Sequence, residues 1–176
     1  TSNTWISSAY AISLNNCEPI FVDINEKYLQ MNEKLLENKL TKKTKAIMVT
    51  HLYGNPSKMD YICAFAKKHK LFIIEDIAQS QLASYKNKYV GNFGDIACMS
   101  FYPSKNIGAV GDAGAIICNS KKLIQKATHF ANYGSTNFKD KDHKIIGFNS
   151  RMDELQAAFL NLKIKDWKKN NNVRKK

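Results

Sequence analysis

Residues 96–106 read IACMSFYPSKN, and this stretch carries the pattern from which the fold is inferred. It opens as an uncharged apolar run and is closed by Pro103, because proline cannot continue a sheet ladder. The pattern predicts a buried strand that ends in a tight loop carrying Lys105. A lysine in such a loop is a candidate nucleophile, since desolvation lowers the pKa of an amine and frees its lone pair. The alternative is a surface lysine in a turn.

Similar apolar runs recur along the chain and alternate with helical patterns. The strand-like runs are IFVDI (20–24), AIMVT (46–50), LFIIED (71–76) and GAIICN (114–119). Helical spacing marks residues 4–14, 32–40, 57–69, 121–131 and 152–167, with Asn32 and Ser57 as expected N-caps. Residues 84–92 predict a small hairpin, and residues 133–150 a long loop. Strands without polar alternation, separated by helices, predict an α/β fold with a sheet covered on both faces.

Composition excludes several other classes of protein. With 176 residues, 44% of them apolar, the chain is expected to form one globular domain with a sizeable core. It contains no run of 18 apolar residues and no signal peptide, so we expect a cytoplasmic protein with no membrane partner. No CxxC pair occurs, so neither a zinc site nor a disulfide framework is expected. Reduced core residues are expected at Cys17, Cys63, Cys98 and Cys118.

The net charge of +12 raises the alternative of a nucleic-acid-binding protein. The basic residues are spread along the chain, whereas a nucleic-acid footprint clusters on one surface. No nucleic-acid partner is therefore expected. Gly108, Gly111 and Gly114 resemble a dinucleotide-binding loop only loosely, because a strand-like run follows them where that motif needs a helix.

Ligands of α/β sheets bind outside the carboxyl ends of the parallel strands. The predicted strands place six side chains along that rim: Thr50, His51, Glu75, Asp76, Ser100 and Lys105. Asp76 and Lys105 suit a single chemistry. A pyridine cofactor with an aldehyde needs a lysine that binds it covalently and an acid that keeps its ring nitrogen protonated. For Asp76, a helix N-cap or a surface acid stays open as the alternative.

Longer motifs resemble one family. They are NTWISSAYAI (3–12), EDIAQS (75–80), GNFGDIACMSFYPSKNIGAVGDAGAI (91–116) and GFNSRMDELQAAF (147–159). With these motifs in this order, the chain resembles the nucleotide-sugar aminotransferases of the DegT or StrS type, which depend on pyridoxal 5'-phosphate (PLP). The resemblance runs from Asn3 to about Lys165. It implies a three-layer α/β/α fold with a mainly parallel sheet, as in the large domain of fold-type I aminotransferases. Residues 1–176 are expected to be the central part of that domain, without the N-terminal phosphate-binding segment and the C-terminal small domain.

The resemblance also implies two catalytic residues. Lys105 matches the lysine that binds PLP covalently and moves a proton between cofactor and substrate. Asp76 matches the aspartate on the pyridine nitrogen. His51 ends a strand and looks catalytic, yet the resemblance gives it a structural place.

Four further positions match cofactor-binding residues of the family. Trp5 matches the aromatic residue that stacks on the ring, and Gln79 the residue near the ring hydroxyl. Ser100 matches a serine that holds the phosphate. Asn149 matches a residue that reaches the phosphate of the neighbouring subunit's cofactor. Arg151 beside it fits a site role and a structural role equally well.

The function implied is transamination of a nucleotide-linked keto-deoxysugar, with glutamate as amino donor, in amino-sugar or surface-polysaccharide biosynthesis. A homodimer is implied as well, and no metal. The sugar, the nucleotide and the ring carbon stay open. One alternative is a truncated or degenerate homologue without catalysis, which binds a partner or has no function. The other is the nucleic-acid binder suggested by the charge.

Overall fold

A computed structural model describes residues 1–135, 142–143 and 145–174. The chain divides into two compact units, Thr1–Met99 and Ser100–Lys176. The elements of the first unit are α1 (Ser7–Ser13), a 3-10 turn (Glu33–Leu35), α2 (Leu36–Lys39), β1 (Ala46–Thr50), a 3-10 turn (Leu52–Gly54), α3 (Met59–His69), β2 (Phe72–Asp76), β3 (Ser84–Tyr85), β4 (Lys88–Tyr89) and β5 (Ile96–Ser100).

Three parallel strands form the centre of the first unit. Strand β2 lies between β1 and β5 and pairs in parallel with both. Thr50 of β1 is the register partner of Asp76, which in turn pairs with Cys98 of β5. Strands β1 and β2 are joined through α3, as the alternating strand and helix patterns predict, whereas the β3–β4 hairpin connects β2 to β5.

Helix α3 packs its apolar stripe on one face of this sheet. The stripe consists of Met59, Ile62, Phe65 and Ala66, all buried. The stripe packs against the alternate strand residues Ile47, Val49 and Ile73. Side chains on one face of a helix repeat about every 3.6 residues and those on one face of a strand every two, as expected for an amphipathic helix on a sheet. Intervening strand residues are more exposed, up to 61% at Phe72. The strands therefore alternate in burial, although their sequences show no polar alternation.

Helix α3 ends where predicted but begins two residues later than predicted. Ser57 was expected as the N-cap, but the helix begins at Met59 and the Ser57 hydroxyl donates to the carbonyl oxygen of Thr50 at 3.1 Å. That bond anchors the loop after β1 instead of the helix end. At the other end, Lys70 adopts a left-handed conformation with φ 54°, and the Leu71 N–H closes the helix on the Ala66 carbonyl.

The predicted hairpin is confirmed as β3 and β4, with Ser84 opposite Tyr89. Its turn residues Lys86 and Asn87 have φ of 47° and 65°, the left-handed pair of a type I′ turn. Asp60 of α3 holds the hairpin through the Tyr85 hydroxyl and the Lys86 ammonium, each at 2.7 Å. Hydrogen bonds from Lys86 and Tyr85 hold the pKa of Asp60 well below its usual range.

Three other predictions in this unit need revision. Residues 20–24 form no strand, because only one bridge, Ile24 to Met31, gives them a partner. The helix predicted over 4–14 is shorter and spans Ser7–Ser13. The helix predicted over 32–40 begins as a 3-10 turn, while the predicted Asn32 cap is confirmed by its bond from the Lys34 N–H at 3.3 Å.

The second unit contains β6 (Gly114–Ile117), α4 (Lys121–Ala131), α5 (Glu154–Lys163), a 3-10 turn (Ile164–Asp166) and α6 (Trp167–Arg174). Helix α4 matches its predicted bounds, and the Ser120 hydroxyl caps it by accepting from the Leu123 N–H. The last predicted helix continues past its predicted end as α6. Of the predicted loop 133–150, residues 136–141 and 144 lie outside the described residues. The core here is built from Ile107, Ala109 and Leu160.

The cysteines correct one expectation. All four are free, as predicted, but Cys17 and Cys98 are exposed rather than in the core. Cys98 faces away from the core because it alternates with Ala97, which is fully buried. Across the described part of the chain, no helix is long and apolar enough to cross a membrane. Nor do His, Cys, Asp and Glu side chains of the described residues form a metal-binding cluster.

Candidate functional site

The carboxyl ends of β1 and β2 bring polar side chains together in the first unit. Asp76 is the last residue of β2, and its register partner Thr50 is the last residue of β1. This is the sheet edge where α/β folds bind ligands. The predicted rim is therefore present here with Thr50, His51, Glu75 and Asp76 at adjacent strand ends.

Both carboxylate oxygens of Asp76 are held in place. The Ala78 N–H donates to Oδ1 at 3.0 Å, and the Ser8 hydroxyl donates to Oδ2 at 2.9 Å. The side chain is half-buried. An ionised carboxylate has about four acceptor positions, so each oxygen keeps one that can accept a further hydrogen bond. Asp76 is thus a fixed acceptor, not the helix N-cap that its position left open.

Trp5 lies on the segment that supplies Ser8. Its side chain is 75% exposed, so it is not a core aromatic. One residue before it, the Thr4 hydroxyl contacts the Thr50 hydroxyl at 3.1 Å. Sequence reasoning missed both Thr4 and Ser8. The only available signal was a pair of hydroxyls spaced by four residues next to a helix start.

Gln79 is oriented by the main chain. The N–H of Tyr53 donates to Oε1 of Gln79 at 3.1 Å, which fixes that atom as the oxygen because an N–H needs an acceptor. Tyr53 reaches this position with φ 57° and Gly54 follows with φ 75°, a tight left-handed turn. The amide nitrogen of Gln79 donates no hydrogen bond to another described residue, and the residue is exposed. It presents an N–H₂ donor at the strand ends.

His51 and Glu75 form a buried pair beneath this surface, and both side chains have no exposure. His51 Nδ1 accepts from the Ser57 N–H at 3.0 Å, so Nε2 carries the proton and donates to Glu75 Oε2 at 3.1 Å. In this neutral tautomer both ring nitrogens are used in hydrogen bonds to buried groups of the fold. His51 is held in the structural place that the sequence assigned to it.

Glu75 collects four hydrogen bonds. Besides His51, the N–H groups of Gly91, Phe93 and Gly94 donate to it at 2.8, 2.8 and 2.6 Å. Burial alone favours the neutral acid, but the bonds from His51 and from the backbone outweigh it and lower the pKa of Glu75. An ionised Glu75 therefore closes the 91–94 loop onto β2, next to Asp76.

Lys105 lies in the second unit, which begins at Ser100, the last residue of β5. The Ser100 hydroxyl accepts from the Tyr102 N–H at 3.2 Å, and the Lys105 N–H donates to the Tyr102 carbonyl at 2.9 Å. Lys105 lies in a turn, as predicted, and is half-buried. Gly108 is required in this loop, because a Cβ there would collide with the carbonyls of Pro103 and Tyr102. The close backbone contact sets the path of the chain after Lys105.

Asn149 and Arg151 also lie in the second unit. Asn149 is exposed and forms a single antiparallel bridge with Asn132. Arg151 Nη1 donates to the Asn132 side-chain oxygen at 3.0 Å, and its guanidinium lies 5.5 Å from the Tyr133 ring centre. Of the two roles open to Arg151, these contacts favour a structural one.

The residues of the first unit fit the pyridine cofactor that the sequence suggested. Asp76 offers a held acceptor for a ring N–H, Gln79 a donor for a ring oxygen, and Trp5 an exposed aromatic face. The turn of the second unit offers the amine of Lys105, a half-buried residue. Each of these groups is of the type that PLP chemistry requires.

The sequence matches the DegT/DnrJ/EryC1/StrS aminotransferase family over residues 1–176. The chain belongs to this family. It is 42% identical over 157 residues to UDP-N-acetyl-3-dehydro-alpha-D-glucosamine 3-aminotransferase of Acidithiobacillus ferrooxidans, a match that covers 89% of this chain and 42% of the relative.

Solved structures agree with this assignment. The structure of DesV from S. venezuelae aligns with a TM-score of 0.91 at 36% identity, over 96% of this chain and 45% of that one. NtdA from Bacillus subtilis, solved with bound cofactor PMP, aligns with a TM-score of 0.83 at 36% identity, over 90% and 36%. The predicted three-layer α/β/α fold with a mainly parallel sheet is thereby confirmed. The chain spans less than half the length of these relatives.

Proposed function

We propose that the protein containing this chain is a PLP-dependent aminotransferase that acts on a nucleotide-linked keto-deoxysugar, with glutamate as amino donor. Family membership supports the reaction class, and the relative from Acidithiobacillus ferrooxidans is named for a UDP-sugar substrate. The observation that carries the proposal is Asp76, held at the carboxyl end of β2 by two hydrogen bonds with acceptor positions to spare. Amino-sugar or surface-polysaccharide biosynthesis is the setting proposed.

In the first unit, Asp76 would accept the hydrogen bond of a protonated ring nitrogen. Trp5 would stack on the ring, and the Gln79 amide would donate to the ring hydroxyl. When bound, PLP supplies an electron-withdrawing ring that makes a proton on the adjacent substrate carbon acidic. Asp76 would favour the cationic ring, because a carboxylate beside a pyridinium stabilises its charged form.

In the second unit, Lys105 would bind the cofactor aldehyde through Nζ and, once released, carry the proton from one carbon to the next. Two features support this role: a turn whose backbone is tied to the Tyr102 carbonyl, and the partial burial of the residue. Ser100 would donate its hydroxyl to the cofactor phosphate. Asn149 would reach the phosphate of the neighbouring subunit's cofactor, so a homodimer belongs to the proposal.

The site needs no metal in this proposal, since the amine, carboxylate and amide supply proton transfer and binding. A cytoplasmic location suits an enzyme that uses glutamate and nucleotide sugars. Despite the net charge of +12, the proposal includes no nucleic-acid partner for this protein. A mobility shift of DNA by the protein at about 0.15 M salt, weakening as salt is raised, would overturn that part of the proposal.

The test is borohydride reduction of the full-length protein loaded with PLP, followed by peptide mass spectrometry. We expect the reduced cofactor on Lys105, and its loss in Lys105→Ala. Lys122→Ala is the matched control, an exposed lysine of α4 that should leave the label unchanged. A label on another lysine, or full labelling of Lys105→Ala, would contradict the assignment.

A second measurement tests the reaction itself. Glutamate-dependent amination of a UDP-linked 3-keto sugar is followed by the release of 2-oxoglutarate. Lys105→Ala should lower the rate at least a thousandfold, because it removes both the attachment point and the proton carrier. Labelled Lys105 without turnover on any nucleotide-linked keto sugar would favour a degenerate homologue that binds the cofactor without catalysis.

A further inference from the structure

Residues 4–8 are attached to two neighbouring strand ends at once. The Thr4 hydroxyl contacts that of Thr50 at the end of β1, and the Ser8 hydroxyl donates to Asp76 at the end of β2. Thr50 and Asp76 are register partners in adjacent parallel strands. The segment therefore crosses the sheet edge with one hydroxyl contact on each strand.

Packing contributes little to holding Trp5 between these contacts. Its side chain is 75% exposed, and the neighbouring Ile6 is 51% exposed. Neither residue belongs to the buried core of this unit. The contacts of Thr4 and Ser8 are thus the side-chain ties that join this part of the backbone to the sheet.

The Ser8 contact also limits how Asp76 can turn. A carboxylate with one bonded oxygen can rotate about its Cβ–Cγ bond, because that terminal torsion is broad. In this structure the Ala78 N–H holds Oδ1 and the Ser8 hydroxyl holds Oδ2, so the plane of the carboxylate is set. The remaining acceptor direction on Oδ2 is then set as well.

We infer that Ser8 and Thr4 are positioning residues for the cofactor, Ser8 by directing the Asp76 carboxylate and Thr4 by holding the backbone that carries Trp5. The inference rests on the proposed function, and it adds two residues that act through others. Ser8 acts on the ring nitrogen through Asp76. Thr4 acts on the ring face through Trp5.

The test for Ser8 compares two ligands on the full-length apoprotein. One is PLP, and the other is its 1-deaza analogue, in which carbon replaces the ring nitrogen. Ser8→Ala should weaken PLP binding about tenfold, the low end expected for a hydrogen bond to a charged group at a half-buried site. Binding of the deaza analogue should change less than twofold, since it offers Asp76 no ring N–H.

Two variants control this comparison. Ser8→Thr keeps a hydroxyl and should restore PLP binding to within about twofold of the wild type. Ser7→Ala removes the adjacent exposed hydroxyl of the same helix and should leave both ligands unaffected. Equal weakening of PLP and the deaza analogue in Ser8→Ala would show a general structural role and overturn the inference for Ser8. So would unchanged PLP binding.

The test for Thr4 uses tryptophan fluorescence. Trp5 and Trp167 are the two tryptophans of this chain, so the Trp5 signal is the difference between each protein and its Trp5→Phe version. Thr4→Val should raise acrylamide quenching of Trp5 in the apoprotein, because the backbone beside it loses its tie to Thr50. Thr4→Val should also reduce the extent to which saturating PLP quenches the fluorescence of Trp5. Unchanged quenching in both states would overturn the inference for Thr4.

Failure of the proposed function would look different. If the wild-type protein binds neither PLP nor the deaza analogue, the proposed function fails and the Ser8 inference fails with it. The acrylamide measurement on the apoprotein still decides whether Thr4 holds Trp5. If the wild type binds PLP on Lys105 while Ser8→Ala binds it equally well, the proposed function stands and only the positioning role is lost.

Discussion

Glu75→Gln is expected to destabilise the first unit more than any conservative surface change. The carboxylate receives two donors on each oxygen: His51 and the Gly91 N–H on Oε2, the Phe93 and Gly94 N–H groups on Oε1. A glutamine replaces one oxygen with an N–H₂ group. Whichever way the amide turns, two donors then face another donor, and these are buried on the Oε2 side and partly buried on the Oε1 side.

The size of the effect follows from that count. His51 cannot relieve the conflict by changing tautomer, because its Nδ1 accepts from the Ser57 N–H. A buried donor without an acceptor costs about 1–3 kcal/mol, so two of them cost about 2–6 kcal/mol. That is a large share of the roughly 5–15 kcal/mol by which folded domains are stable.

The assay is urea unfolding of the full-length apoprotein, and the readout is the difference in free energy of unfolding. Glu26→Gln is the control, since Glu26 is exposed and should change stability by less than about 0.5 kcal/mol. A loss below about 1 kcal/mol in Glu75→Gln would refute the hydrogen-bond count.

The same variant predicts a pH dependence with a definite sign. The pKa of Glu75 is lower in the folded chain than its ordinary value of 4.5, so the folded state binds this proton less readily than the unfolded state. The stability it contributes is present above about pH 4.5 and is lost as the pH falls through the lowered pKa. The stability gap between wild type and Glu75→Gln should therefore narrow below pH 4.5. A gap that widens there would contradict an ionised, hydrogen-bonded Glu75.

Three further changes test other parts of the fold by the same unfolding assay. Lys70→Gly should stabilise by about 0.5–1 kcal/mol, since φ is 54° at this helix end and glycine adopts it without strain; a loss of stability would refute this. Leu160→Ala should cost about 2–3 kcal/mol by opening a cavity in the core of the second unit, and a cost below 1 kcal/mol would argue against that core. Asp60→Asn should cost less than about 1 kcal/mol, because the contacts with Lys86 and Tyr85 are exposed, yet should speed hydrogen exchange in β3 and β4. Unchanged exchange would show that Asp60 does not hold the hairpin.

Elements with a strong local pattern were predictable from the sequence. Strand β1 and helix α4 have their predicted bounds, because an apolar run and an amphipathic stripe with a serine cap are both local signals. The segment 20–24 has the composition of a strand but lacks a partner along most of its length, and pairing is not a local property. Ser57 failed as a cap for the same reason. Its hydroxyl is used by Thr50, seven residues back, rather than by the helix that follows.

Among the candidate site residues, too, some stand out in the sequence and others depend on partners far away in the chain. Asp76 and Lys105 could be selected as candidates because a carboxylate at a strand end and a lysine after a proline stand out in sequence, and their roles stay predictions. Ser8 could not, since its partner Asp76 lies 68 residues away and one serine in a helix looks like any other. The four donors around Glu75 could not be predicted either, because three of them are backbone N–H groups that every residue type except proline provides.

The tie between Tyr53 and Gln79 has a consequence for how this protein tolerates mutation. Its donor is a main-chain N–H, so any residue that tolerates the φ of 57° at position 53 keeps it, whereas proline removes it and β-branched residues strain the turn. The Tyr53 side chain is 70% exposed, so its chemistry can vary among residues that tolerate this φ. Residue 53 is therefore a place where evolution or protein engineering can rebuild the surface near the strand ends while the orientation of Gln79 is inherited unchanged through the backbone.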